Sequence, residues 1–110
     1  MIPGIQALRG QTAVVVDGAL LDFADTWLRS IMEPSMPLPS IVPTNDGVQA
    51  EWHCNGIDLE IEIQAPPYRW IEWTAEHLAT GIEAGGTHMD ETHLKTWIHA
   101  LSKKYKEVKP

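Results

Sequence analysis

Glu60-Ile61-Glu62 sets two carboxylates two residues apart, a spacing that puts both on one face of an extended strand. Carboxylates so placed are a common way to hold magnesium, and with Glu51 upstream they could position a divalent ion for hydrolysis of a phosphodiester. That chemistry usually also places a cation beside the acids to neutralise developing phosphate charge, and no Lys precedes Lys95. The same acids admit a second use. Glu51, Asp58, Glu60, Glu62 and Glu72, with His53 among them, would form an acidic surface on which a basic protein could dock.

Other chemistry-bearing residues are less well arranged. His88, His93 and His99 are five and six residues apart, whereas two helical zinc ligands need a separation of three or four to share a face. They read as surface histidines. Cys54 adjoins the turn dipeptide Asn55-Gly56, which predicts an exposed thiol, but no base or oxyanion arrangement accompanies it. Being the single cysteine, it excludes an intramolecular disulfide. Gly-rich phosphate loops, serine elbows and paired-cysteine motifs are missing from the sequence, and Gly85-Gly86 is too short to be a phosphate cradle. No catalytic, metal or cofactor residue is therefore assigned.

Charge is unevenly spread along the 110 residues. Residues 1–94 hold three Arg against fourteen Asp or Glu, a net of −11, and residues 95–110 hold five Lys against Glu107, a net of +4. An acidic body repels phosphate backbones, so direct nucleic-acid binding is not expected except through the tail residues Lys103, Lys104, Lys106 and Lys109. No apolar run is long enough for a membrane span, and the first ten residues lack the pattern of a secretory signal. A single cytoplasmic domain over 1–110 is the expectation.

The elements that must position these acids follow from periodicity. Residues 1–16 contain Pro3, Gly4 and Gly10 and predict an irregular arm, with Val14 to Val16 as a short strand. Asp17 caps a helix over 17–32 whose stripe is Leu20, Ala24, Trp27, Leu28 and Ile31. Pro34, Pro37, Pro39 and Pro43 make 33–47 an extended connector ending at the turn Asn45-Asp46-Gly47. An antiparallel sheet of three to four strands is expected over 48–86. Val48, Ala50 and Trp52 alternate with polar residues, Asn55-Gly56 signals a type I′ hairpin, and Ile57, Leu59, Ile61 and Ile63 alternate with acids. A third strand is read over 68–75, with Trp70 and Trp73 at opposite parity, and a fourth around 80–83, ended by Gly85-Gly86. Thr87-x-x-Asp90 resembles a capping box for a helix over 87–106 with the stripe Leu94, Trp97, Ile98, Leu101 and Tyr105, followed by a basic tail over 107–110. The order gives an α+β domain: an N-terminal helix, an antiparallel meander and a C-terminal helix packed on the sheet. Trp27, Trp52 and Trp97 are assigned to the core.

The run Pro43-Thr44-x-Asp46-Gly47-Val48-Gln49-x-Glu51-Trp52, followed by Asp58-Leu59-Glu60-Ile61-Glu62-Ile63, resembles a group of small bacterial proteins. The resemblance covers about 17–101, with the hairpin as its specific part, and implies a bacterial or phage accessory protein from small gene pairs such as toxin–antitoxin modules. It implies no catalytic residues. Leu8-Arg9-Gly10-Gln11 does not reproduce the aromatic, aspartate- and glycine-rich segment those proteins often carry near the N-terminus.

The expected function is thus a non-enzymatic interaction module. Its most concrete form is an antitoxin or inhibitor that binds a basic protein through Glu51, His53, Asp58, Glu60, Glu62 and Glu72. The alternatives are a small metal-dependent hydrolase or nuclease using Glu51, Glu60 and Glu62, and an acidic mimic of nucleic acid. An exposed sheet edge leaves homodimerisation open.

Overall fold

Asp17 and Asp25 show a local and a long-range carboxylate contact at work in this fold. The Asp17 carboxylate accepts the Ala19 amide at 3.0 Å, capping the helix that runs over Gly18–Ile31. Leu20, Leu21, Ala24, Leu28 and Ile31 form its buried stripe. Asp25 lies on the same buried side and accepts the backbone N–H of Ile2 at 2.6 Å, with Arg29 at 3.5 Å from its other oxygen. A computed structural model supplies this description, which covers residues 1–9, 17–64 and 70–108.

The helices are α1 (Pro3–Arg9), α2 (Gly18–Ile31) and α3 (Glu91–Val108), the last entered through a 3₁₀ turn, His88–Asp90. The strands are β1 (Ser40–Pro43), β2 (Gly47–Cys54), β3 (Ile57–Gln64), β4 (Ile71–His77) and β5 (Ile82–Thr87), paired antiparallel in chain order as a five-stranded meander. This is the α+β architecture expected, with one strand more. Helical stripes and the apolar sheet face share one core, in which Trp52, Trp73, Leu28, Ile61 and Leu94 are fully buried.

Four expectations about the elements are corrected. Residues 3–9 are helical rather than an irregular arm, because Pro is well placed at the first helical position, where its missing N–H has no intrahelical acceptor, and Ile2, Ile5 and Leu8 form a buried stripe. The strand expected at Val14 to Val16 lies outside the described residues. The proline-rich connector contains β1, whose Ser40 to Pro43 pair with Glu51 to Val48, and an edge strand tolerates Pro43 because only one side of it joins the ladder. β4 runs from Ile71 to His77, with Ile71, Trp73 and Ala75 inward, so Trp73 is core and Trp70 is not. Gly85 and Gly86 lie within β5 instead of ending it.

The hairpin is as expected. Asn55 (φ 58°) and Gly56 (φ 77°) both take the left-handed conformation that a type I′ turn requires, and β2 pairs with β3 from Gly47↔Gln64 to Cys54↔Ile57. The Trp52 indole N–H donates to the Pro37 carbonyl at 2.8 Å, tying the connector to the core. Trp27 and Trp97 are half-buried against that core. Thr87 and Asp90 form a reciprocal capping box at the entry to α3, which extends to Val108, past the expected end. The side chains expected to make the basic last turn and tail, from Lys103 onward, lie outside the described residues.

At Gly47 the backbones of β2 and β3 approach so closely that an added Cβ would lie 1.9 Å from the Ile63 carbonyl oxygen. Gly47→Ala should therefore lower stability by about 2 kcal/mol or more in thermal or urea melts, while Asp46→Ala, at an exposed neighbour, leaves it within about 0.5 kcal/mol.

Candidate partner-binding face

Strand parity carries every apolar residue of β2 and β3 to the core and every acid to the other face. Directly paired residues share a face, so the ladder can be followed across the sheet. Glu51 faces Glu60, Asp58 faces Glu76, Glu62 faces Glu72, and Glu76 in turn faces Glu83. Seven carboxylates from four strands thus occupy one face. Among the described residues no Arg or Lys lies at a position on it, Arg9, Arg29 and Lys95 all belonging to helices.

All six residues expected on this face are there: Glu51, His53, Asp58, Glu60, Glu62 and Glu72. Glu76 and Glu83 join them and were missed. The signal for Glu76 was its even spacing from Glu72, hidden by ending the strand at 75, and Glu83 required β5 to be set in register.

Neutral donors moderate part of the crowding. Gln49 donates to Glu51 at 2.7 Å, Gln64 to Glu62 at 3.5 Å, and the Trp70 indole to Glu72 at 2.8 Å. Among the described residues, His53 is the basic side chain set among these acids. Its Nδ1 lies 3.0 Å from Asp58, and its Nε2 lies 3.5 Å from Glu51 and 4.0 Å from Glu60. The hydrogen bond to Asp58, together with the negative charge of Asp58 and Glu51, raises its pKa above the usual histidine value, against a smaller opposing effect of burial.

Small residues open the face between its acids. A depression of about 320 Å³ is bounded by Asp58, Glu60, Glu76 and Glu83 with Thr74 in its floor, and a smaller one of about 180 Å³ lies between Gln49, Glu60, Glu62 and Glu72. Cationic side chains suit such hollows in charge. A further hollow of about 520 Å³ beside Met1, Met32, Met36 and Leu38 has, among the described residues, Arg29 and Glu33 as its charged side chains, with no acid–base or nucleophilic set assembled from them.

Glu51, His53 and Glu60 each offer one ligand atom within 4.8 Å of the others, the only such grouping among the described residues. It differs from the expected trio by His53 in place of Glu62. Other histidines are dispersed: His88 meets the edge of Trp70 at 5.1 Å between centroids, His93 that of Trp73 at 5.2 Å, and His99 Nδ1 lies 3.1 Å from Glu33. Cys54 corrects another expectation. It shares the parity of Trp52, faces Ile57 and is half-buried against the core, and burial pushes its thiol pKa up, opposite to what a nucleophile needs.

No family model matches the chain, and no curated protein or solved structure matches it either. No helix among the described residues is long and apolar enough to cross a membrane.

A histidine with a raised folded-state pKa stabilises the protein fully below the unfolded value, about 6.5, and that contribution is lost as pH rises through the folded value. Melting temperature should therefore fall as pH climbs from about 6.5 past the His53 midpoint, and His53→Gln should remove that component of the slope. NMR titration of the His53 ring should give a midpoint above about 6.5, and a midpoint at or below it would contradict the three-carboxylate environment.

Proposed function

We propose that the protein is a non-enzymatic protein–protein interaction module that binds a basic protein through its acidic sheet face. The observation that carries this reading is the stacking of like charges, Glu51 on Glu60, Glu62 on Glu72 and Asp58 on Glu76 on Glu83. Facing acids destabilise a sheet by a few tenths to about 1 kcal/mol per pair. Folding gains nothing from this arrangement, whereas a basic partner does, both in complementary potential and in association rate. The hairpin's resemblance to proteins of small bacterial gene pairs makes an antitoxin or inhibitor acting in the cytoplasm the most concrete form. If the target is a nucleic-acid-binding protein, the same face acts as a mimic of nucleic acid.

Affinity capture at low salt from the native host, followed by mass spectrometry, should recover a basic protein in stoichiometric amount and lose it at high salt. Glu60→Lys places opposite charges across Glu51 and should raise stability by a few tenths to about 1 kcal/mol while weakening capture. Glu51→Lys with Glu60→Lys replaces one like-charge pair by another, so capture should be abolished with stability near wild type. Retained capture by the double variant would remove the reading.

A second reading, a small metal-dependent hydrolase or nuclease, is favoured by one observation, the convergence of Glu51, His53 and Glu60. It requires that millimolar manganese or micromolar zinc raise the melting temperature of the wild type and not of His53→Gln, through linkage of ion binding to folding. An unchanged melting temperature would set it aside.

A further inference from the structure

The two edges of the sheet are treated differently. β1 carries Pro43 and is packed by α1, two devices that block pairing with another chain. β5 has neither proline nor lysine, begins at the exposed Ile82 and is preceded by the exposed Leu78.

The hydrogen-bond phase of the ladder fixes what β5 presents. Gln64 donates to the Trp70 carbonyl at 2.9 Å and Leu78 donates to the Gly56 carbonyl at 2.9 Å, so the even-numbered residues of β4 bond to β3. The odd-numbered ones, Trp73, Ala75 and His77, then bond to Gly86, Ala84 and Ile82 of β5. Glu83, Gly85 and Thr87 must direct their amides and carbonyls outward. The Thr87 N–H is taken by the Asp90 carboxylate at 2.9 Å, in agreement with that phase. Glu83 and Gly85 keep an open N–H and C=O each, with no partner among the described residues.

We infer that the basic partner contributes an extended segment that adds to β5 as a sixth strand, with Lys or Arg at alternate positions. This rests on the function proposed above and names how the face is engaged. A residue paired with Glu83 or with Gly85 in the hydrogen-bonded register has its side chain on the carboxylate face. A cation opposite Glu83 meets that acid and Glu76 behind it, and a cation opposite Gly85 passes over a position with no side chain toward the depression between Glu60, Glu76 and Glu83. The residue between them turns to the other face, beside Ala84 and the 60%-exposed Ile82, where an apolar side chain fits. Main-chain bonds supply affinity and alternate side chains supply selectivity, the usual logic of strand addition.

The test uses capped synthetic peptides at low salt: an alternating Thr-Lys-Val-Lys-Val-Lys-Thr, an isomer with its three lysines contiguous, and the alternating peptide N-methylated at the lysines. Binding is followed by NMR on the full-length protein. The alternating peptide should shift the Glu83 and Gly85 amides and slow their exchange, and each altered peptide should bind at least about tenfold more weakly at essentially unchanged charge. Gly85→Pro, which removes one outward amide at an edge position that accepts proline, should weaken binding comparably. If that variant unfolds, the N-methylated peptide decides. Equal binding of all three peptides, with shifts confined to β2 and β3, would overturn strand addition and leave the acidic-face reading standing. No binding by any would remove both. Concentration-dependent dimerisation that protects Glu83 and Gly85 without peptide would overturn the inference by giving the edge to a second copy.

Discussion

The register of β2 on β3 is the constraint on which the rest of the structure depends. Side chains alternate with a period of two, so a one-residue slip would carry Asp58, Glu60 and Glu62 into the core and Ile57, Leu59, Ile61 and Ile63 into water. Burial of four large aliphatic side chains is worth several kcal/mol, far more than a shifted ladder could recover. Asn55 and Gly56 hold the hairpin at one phase by supplying the two positive φ angles of its turn. From this pair the meander grows outward. β4 takes its parity from β3, β5 from β4, and the helices cover the apolar face that results.

The acidic face is a consequence of that register and also its main electrostatic burden. Folding places Glu51 opposite Glu60 and Glu62 opposite Glu72, and the described residues put only His53 and a few neutral donors between them. A proton on His53 and a basic group from a partner act on the same acids in the same sense. Both relieve repulsion that the protein by itself sustains. The face is therefore electrostatically complementary to cations, and under the proposed function the order and spacing of its acids along β3 to β5 set which basic segment fits it.

Helix α1 and the edge strands show how the remainder is organised. Ile2 anchors the start of α1 on the buried Asp25 carboxylate, linking the first residues to the middle of α2. The indole of Trp52 fixes the connector through Pro37, and β1 follows as a short edge that proline keeps closed to further strands. At the opposite edge the capping box of Thr87 and Asp90 ends β5 and starts α3 within a few residues. Among the described residues of that edge, Glu83 and Gly85 keep open backbone groups.

Most of the candidate site could be read without coordinates. Alternation in 48–63, the Asn55-Gly56 turn and the prolines determined the hairpin, its parity and the common face of Glu51, His53, Asp58, Glu60 and Glu62, because these follow from local backbone geometry over adjacent residues. The Asp17 cap and the Thr87–Asp90 box, both short-range hydrogen bonds, were legible in the same way. Long-range pairing was not. Ser40 to Pro43 looks like a proline linker until β2 offers it a partner, Pro3 and Gly4 look like helix breakers until Asp25 and the core receive α1, and Trp70 and Trp73 compete for the interior until β3 sets the phase of β4. Glu76 and Glu83 join the acidic face only through contacts between residues distant in sequence, whereas the half-buried place of Cys54 follows from its parity with Trp52. Those contacts are decided by which surfaces can be buried together, a property of the assembled sheet and helices that no local window of residues contains.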